Sequence, residues 1–269
     1  MQGKRYEEAF GILDKRYRMG RELRDAQFLL NRCVCAMATD RFEEFWKLLN
    51  ELKQFVKQHV YLPFEDALEY GEQLEKDKKY FESIIFYRIF VDLFTDDISP
   101  RRMAHVVERC MSGMRAAVYS MTAANSEVKS LVEKRIIPMM ENLADKVLDC
   151  DELDIRPKSI KTGDVLHYIE VCDPNLSRRI ETLTKGIALM TDGLGTVAKN
   201  YRIYGILYNN LGGAYMASAK FKESAFNFEE SLKCFKVAKY FDSPERKEKY
   251  LRDGEKAAMR ARKQMQRNE

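Results

Sequence analysis

The chain is poor in the residues that interrupt helices. Its 269 residues include only 6 prolines and 13 glycines. The long runs between them are rich in Leu, Ala, Glu, Lys, Arg and Met, the residue types that favour helix most strongly. This composition argues against a sheet-based fold and predicts an all-α protein.

Long apolar runs are missing as well. A membrane-spanning helix needs roughly 18 or more apolar residues in succession, and no stretch of this sequence approaches that length. The N-terminus carries charged residues where a signal peptide would place its apolar segment, namely Lys4, Arg5, Glu7 and Glu8. We therefore expect a cytoplasmic or nucleocytoplasmic protein without a membrane partner.

The sequence also lacks a strong charge imbalance and a disulfide framework. Its 46 basic and 42 acidic residues leave a net charge of +4, which is too small to indicate a nucleic-acid partner. Its 6 cysteines are scattered through a chain large enough to fold without disulfides, so we expect reduced thiols.

Motifs that carry chemistry are scarce. The chain has 3 histidines and no GxSxG, GxxxxGK[ST] or HExxH motif. The pairs His105–Cys110 and His167–Cys172 would diverge by about 140° on a helix, so we expect no metal site and no cofactor. The glycine-containing stretch DGLGTVAKN, residues 192–200, follows no strand and is interpreted as a turn between helices. We therefore expect no enzyme. A catalytic site would rest only on His167 and its neighbours Asp164 and Glu170.

Helical hairpins are what the sequence does contain. Apolar residues recur at helical spacing over 24–38 and again over 42–56, with only Thr39-Asp40-Arg41 between them. Two further pairs, 64–76 with 80–94 and 201–217 with 221–238, have the same layout. Each second helix opens with a basic residue, an aromatic and a glutamate, and Tyr6, Phe42 and Tyr80 are 36 and 38 residues apart. That period is typical of helical-hairpin repeats.

The segment YNNLGGAYMASAKFKESAFNFEESL, residues 208–232, resembles a tetratricopeptide repeat. The positions that match the first-helix and second-helix signatures are Tyr208, Leu211, Gly212, Tyr215, Phe221, Ser224, Phe228, Ser231 and Leu232, with serine replacing the usual alanine at 224 and 231. The other copies are weaker: Cys33 takes the glycine site in one hairpin, whereas Gly71 keeps it in the next. The N-terminal copy, RYEEAFGIL, has only its second helix, so we expect a fragment that begins inside a repeat.

The rest of the chain departs from this pattern. We predict helices over 99–122 and 126–149, the second kinked at Pro138. Residues 150–172 contain Pro157 and Gly163 and are predicted to be a long loop or a join between two sub-arrays. A further helix is expected from Asp173 to about Val197. The predicted segments are hairpins at 1–98, an irregular helical insert at 99–172, repeats at 173–242 and a C-terminal capping helix at 243–269.

The C-terminal helix admits two interpretations. Residues 245–269 carry nine basic and five acidic side chains, so they could form a basic arm that touches nucleic acid. Alternatively the helix caps the last repeat with Tyr250, Leu251, Ala257 and Ala258, which we favour because no aromatic interleaves the terminal basic cluster.

The resemblance implies that the first helix of each hairpin lines a concave groove that binds peptide or protein. Carried over position by position, the groove residues are Gln27, Leu30, Asn31, Val34, Met37, Glu65, Glu69, Glu72, Asn209, Asn210, Gly213 and Met216. The positions that form a cationic carboxylate clamp in one branch of the family hold no cation here. An acidic middle beside apolar residues instead favours a partner segment that is part apolar and part basic.

Together these observations predict a tetratricopeptide-like array with an irregular insert and a capping helix. Its expected function is that of a non-catalytic scaffold or adaptor that binds a segment of another protein. Self-association is a second kind of partner, because an array cut inside a repeat exposes an apolar edge. The alternative is a nucleic-acid-associated helical repeat that uses its basic C-terminal helix.

Overall fold

The computed structural model describes residues 7–13, 26–39, 41–59, 64–94, 98–124, 128–239, 241 and 243–268. These residues form helices joined by short turns, and no strand occurs among them. The chain divides into two compact units, Met1–Leu143 (unit 1) and Ala144–Glu269 (unit 2). The prediction of an all-α fold is confirmed. No helix in the described ranges is long and apolar enough to cross a membrane.

Unit 1 is built from helices that pack against their neighbours in the sequence. Its helices are α1 (7–13), α2 (Ala26–Ala38), α3 (Phe42–His59), α4 (Phe64–Lys76), α5 (Tyr80–Phe94), α6 (Pro100–Ala124) and α7 (Lys129–Leu131), followed by a π-helix (Val132–Ile136) and α8 (Ile137–Leu148), which contains the boundary with unit 2. The main contacts join α2 with α3, α4 with α5, and α5 with α6. Pro138 is the second residue after the end of the π-helix. A proline has no N–H to offer the preceding turn, which accounts for the irregularity at the predicted kink.

Unit 2 continues the pattern of consecutive antiparallel helices. It contains α9 (Ile155–Cys172), α10 (Leu176–Leu194), a 3-10 helix (Gly195–Asn200), α11 (Arg202–Ala217), α12 (Phe221–Val237) and α13 (Pro244–Asn268). Extensive contacts join α9 with α10, α11 with α12, and α12 with α13. The last helix covers α12 through small buried residues, Gly254, Ala258 and Ala261.

The three predicted hairpin turns share one backbone geometry. In each turn the N–H that follows the bend donates to a carbonyl five residues earlier: Arg41 to Ala36 at 3.0 Å, Lys79 to Leu74 at 2.8 Å, and Lys220 to Tyr215 at 2.9 Å. This bond satisfies a helix C-terminal carbonyl and ends the first helix at the predicted place. The chain is therefore a series of packed helix pairs, as the spacing predicts.

Two of these turns also share a left-handed residue. Lys78 has a φ of 61° and Ala219 a φ of 57°. A positive φ costs a residue with a Cβ about 1 kcal/mol or more, so the packing of the paired helices must hold both turns closed. The α4–α5 and α11–α12 hairpins therefore share a strained turn residue as well as a turn geometry.

A glycine facing an aromatic ring sets the distance between the two helices of these hairpins. A Cβ at Gly212 would lie 2.9 Å from the Phe228 ring, and Ser224 Oγ donates to the Gly212 carbonyl at 2.8 Å. Only a residue without a side chain lets the two backbones approach this closely. Gly212 is therefore a packing residue.

The α4–α5 hairpin repeats this arrangement at the same sequence intervals. A Cβ at Gly71 would lie 2.6 Å from the Tyr87 ring, and Ser83 Oγ donates to the Gly71 carbonyl at 3.2 Å. Glycine, serine and aromatic residue therefore occupy equivalent places in a hairpin of each unit. This equivalence is compatible with a helical repeat.

The prediction of a loop or join over 150–172 is wrong for most of that stretch. Residues Ile155–Cys172 form one helix, α9, which packs along α10. Pro157 lies in the first turn, where its missing N–H breaks no intrahelical bond. Gly163 is buried where α9 meets α10, since a Cβ there would lie 2.6 Å from Met190 Sδ. Both residues that look like helix breakers are thus compatible with the helix.

Candidate partner-binding sites

The predicted groove residues of α2 lie in two environments. Leu30, Val34 and Met37 are buried, so they belong to the core of unit 1. This corrects the expectation of an open apolar lining, because α2 is covered by neighbouring helices over most of its apolar surface. Asn31 is partly exposed and has contacts of its own. The side chains of Gln27 on α2 and Glu65 on α4 lie outside the part of the structure that can be described.

The predicted acidic residues of α4 lie at the surface. Glu69 and Glu72 are both exposed. Glu72 borders a cavity of about 450 Å³ between α4 and α6. We call this cavity the α4–α6 cleft. The charged residues that line it are Glu72, Glu75, Lys76, Glu108, Arg109 and Arg115, and Tyr87 lines it as well.

Tyr87 forms the floor of the α4–α6 cleft. Its ring lies between Gly71 of α4 and Gly113 of α6, and a Cβ on either glycine would overlap it. Only 1% of the residue is exposed. Its hydroxyl donates to Glu75 Oε1 at 3.5 Å, at the edge of hydrogen-bond distance. Burial raises the pKa of Tyr87 well above its ordinary range, so the hydroxyl stays protonated.

Glu75 is a half-buried carboxyl group that forms no ion pair with any described residue. Burial raises its pKa to about 7, and the neighbouring charge of Glu72 adds to that effect. The Tyr87 hydroxyl and the more distant Arg115 lower the pKa of Glu75. Among the described residues, no basic side chain forms an ion pair within 4.0 Å of Glu75 or Glu72. The pair can therefore accept a cationic group from outside the chain.

The predicted asparagines of α11 are engaged within unit 2. Asn210 Nδ2 donates to Glu170 Oε1 and lies 3.3 Å from His167 Nδ1, while Asn210 Oδ1 accepts from Asn209 Nδ2 at 3.4 Å. Glu170 is completely buried and also accepts from Arg179 at 3.3 Å. The Asn210 amide therefore joins α11 to α9, and Glu170 in turn joins α9 to α10 through Arg179. To hold a peptide backbone, the Asn210 side chain would have to break these hydrogen bonds.

The two remaining predicted groove residues of α11 lie in different environments. Gly213 is exposed, and nothing lies within 4 Å of where its Cβ would be. Met216 is partly buried and packs against Phe228 and Ala258, beneath α13. Gly213 thus faces open surface, whereas Met216 helps to join α13 to the last hairpin.

A second cavity in unit 1 was not foreseen in the sequence. It measures about 580 Å³ and lies between the α2–α3 turn and α8. Trp46 is 45% exposed at its edge, whereas its neighbour Phe45 is 2% exposed. Both rings fall within the apolar spacing over 42–56, so the sequence held no signal that Trp46 alone is exposed.

Glu75 of α4 and the cleft residues contributed by α5 and α6 were also missed. Glu75 and Tyr87 belong to a recognised hairpin, yet Glu108, Arg109 and Arg115 fall in the segment interpreted as an irregular insert. Gly113 gave the only hint, because a glycine within a helix often marks a close approach.

The cysteines offer little reactivity. All six are free thiols, and Cys150 is the one that is partly exposed. Burial raises the pKa of Cys33 to about 12 and that of Cys35 to about 11, so both are protonated at neutral pH. Within the described ranges no three His, Cys, Asp or Glu side chains converge as metal ligands.

Comparison with known proteins does not assign this architecture to a family. The chain matches no protein-family model, and no curated protein matches it. Its described residues form an all-α structure of consecutive packed helix pairs, which is compatible with a helical repeat.

Proposed function

We propose that this chain is a tetratricopeptide-type repeat protein that acts as a non-catalytic scaffold in the cytoplasm. It binds a segment of a partner protein in the α4–α6 cleft. The observation that carries the proposal is the pair Glu72 and Glu75, which lines this cleft with no basic side chain of the described residues at ion-pair distance. The partner segment supplies that cation as a lysine or arginine side chain.

The position of the cleft supports this proposal. It lies between α4, the first helix of a hairpin, and α6, the helix that follows that hairpin. The resemblance assigns ligand binding to this side of an array, and Glu72 is one of the residues it assigns. The repeated glycine, serine and aromatic geometry of α4–α5 and α11–α12 supports the repeat itself.

The chemistry of the cleft selects the partner. A lysine or arginine placed at Glu75 would form a charge-assisted hydrogen bond in partly buried surroundings, worth about 1.5–3 kcal/mol. That range corresponds to about ten- to hundredfold in affinity. Lys76, Arg109 and Arg115 at the same cleft would repel a segment with several adjacent cations. We therefore expect a partner with one or two basic residues flanked by neutral ones.

A selection from a random peptide library tests the proposal. The full chain is used as bait, beside Glu72→Gln/Glu75→Gln and a control, Glu43→Gln/Glu248→Gln, that removes two exposed carboxylates elsewhere. We expect peptides enriched in lysine and arginine from the native chain and the control, and loss of that enrichment with the cleft variant. Enrichment that is equal in all three proteins would rule out the cleft as the site.

A further inference from the structure

Unit 2 contains a small cationic cavity that the scaffold function does not use. It measures about 250 Å³ and lies where the start of α9, the 3-10 helix and the segment after α12 meet. Of its seven lining residues, Arg156 and Lys239 are basic and none is acidic; the others are Gly193, Leu194, Val197, Asn200 and Tyr201. We call it the Arg156 pocket.

Arg156 is an exposed side chain that Tyr201 orients. Its Nε donates to the Tyr201 hydroxyl at 2.6 Å, and its guanidinium carbon lies 5.7 Å from the centre of the Tyr201 ring. No other ion pair or hydrogen bond joins this side chain to a residue in the described ranges. The terminal nitrogens of a guanidinium fixed in this way can donate in parallel to two oxygens of one anion.

Lys239 is brought to the pocket by its backbone. Its N–H donates to the Asn200 carbonyl at 3.0 Å. The preceding turn is fixed from α13, because Lys247 Nζ donates to the carbonyls of Lys236 and Ala238, both at 3.0 Å. The Lys239 ammonium itself makes no ion pair with any described residue.

The glycines of this region shape the pocket. A Cβ at Gly193 would overlap Ser159 Oγ, so glycine lets α10 approach α9. Gly195 has a φ of 56°, a left-handed conformation that ends α10 and begins the 3-10 helix. The predicted turn between helices is thus confirmed.

The size of the pocket limits its ligand. Sites for drug-sized ligands and cofactors measure about 300–1,000 Å³, so a cavity of about 250 Å³ is too small for a nucleotide. A single anionic group fits, with Leu194 and Val197 available for a short apolar part.

We propose that the Arg156 pocket binds an oxyanion, either a carboxylate or a phosphate group. The guanidinium of Arg156 and the ammonium of Lys239 supply its charge and hydrogen bonds. This site lies in unit 2 and shares no residue with the α4–α6 cleft. An experiment that rejects one proposal therefore leaves the other standing.

Anion titrations followed by NMR test this site in the full chain. Sodium phosphate and sodium acetate are added at constant ionic strength, with sodium chloride as the reference, and the amide shifts of Gly193 and Gly195 are recorded. We expect saturable shifts with phosphate, acetate or both, weakened by about tenfold or more in Arg156→Gln/Lys239→Gln. Saturation by both anions indicates a general oxyanion site, and saturation by one identifies the group.

The matched control removes two exposed cations of α13, Arg260→Gln/Lys263→Gln. This control should bind as the native chain does. Equal weakening in both double variants, or shifts no larger than those with chloride, would overturn the proposal. If Arg156→Gln/Lys239→Gln does not fold, Lys239→Gln alone removes an exposed side chain and should still weaken the titration.

Discussion

The hairpins α4–α5 and α11–α12 share a packing frame but present different surfaces. In both, an aromatic ring fills the space opposite a glycine and a serine bonds to that glycine's carbonyl. Tyr87 meets a second glycine on the next helix and carries a hydroxyl that reaches Glu75. Phe228 carries no hydroxyl and packs with the alanines of α13. One frame thus supports an open cleft in unit 1 and closed packing in unit 2.

The largest expected difference between the hairpins comes from adding one methyl group at each glycine. Gly71→Ala should cost about 3 kcal/mol, because Gly113 confines Tyr87 from the other side and the ring cannot retreat. Gly212→Ala should cost less, about 1–2 kcal/mol, since the approach to Phe228 is longer. Urea unfolding measures both changes.

Gly213→Ala is the control for this pair. It adjoins Gly212 but faces open space, so it should stabilise the chain by about 0.5–1 kcal/mol through helix propensity. Equal costs at Gly71 and Gly212 would mean that the second glycine does not confine Tyr87.

The serines give a smaller test of the shared frame. Ser224→Ala and Ser83→Ala each remove a buried bond to a glycine carbonyl and should cost about 1 kcal/mol. The loss should be larger at Ser224, whose bond is 2.8 Å against 3.2 Å. Ser231 provides the contrast: its buried Oγ has no hydrogen-bond partner among the described residues, so Ser231→Ala should stabilise. A destabilised Ser231→Ala would contradict this assignment.

Glu75 should make the stability of unit 1 depend on pH. Its pKa is raised from 4.5 to about 7, so the folded chain binds this proton more tightly than the unfolded chain does. The stabilisation is fully present below pH 4.5 and is lost as pH rises through about 7. Glu75→Gln should therefore be more stable than the native chain at about pH 8 by up to about 1 kcal/mol, after allowance for solvent screening.

Melting temperatures of both proteins across this pH range measure the effect. The native chain and Glu75→Gln should diverge only as pH rises above 4.5 towards 7 and beyond. Parallel curves would show that Glu75 keeps an ordinary pKa.

The smallest expected effect concerns the Tyr87 hydroxyl. Its hydrogen bond to Glu75 lowers the pKa of that carboxyl against the effect of burial. Tyr87→Phe, which makes the aromatic position of α4–α5 like that of α11–α12, should therefore raise the pKa of Glu75 further. A carboxyl-carbon NMR titration detects this change, and an unchanged or lowered pKa would exclude the hydrogen bond.

The hairpins were predictable because their signals are local. The apolar spacing and the turns at 39–41, 77–79 and 218–220 are contained in the sequence of each pair. Pro157 and Gly163 misled because their effect depends on position: the proline lies in a first turn and the glycine packs against Met190. The contact of Gly163 lies on another helix, α10, so the residue pattern within 150–172 could not show it.

The candidate site was predictable only in part for the same reason. The exposure of Glu69, Glu72 and Gly213 follows from their helix faces. The burial of Leu30 and Val34 depends on which helices cover α2, which periodicity does not encode. The floor of the cleft exists only because Gly113, far along the chain, meets Tyr87.

Affinity measured against pH tests most directly whether the α4–α6 cleft binds a basic segment. A lysine-containing peptide from the selection is titrated into the native chain and into Glu72→Gln/Glu75→Gln at about pH 6 and about pH 8. Because Glu75 ionises near pH 7, the native chain should bind more tightly at the higher pH, whereas the variant should bind about tenfold or more weakly and lose that dependence. Equal affinity of the two proteins, or native binding that weakens as pH rises, would contradict the proposal.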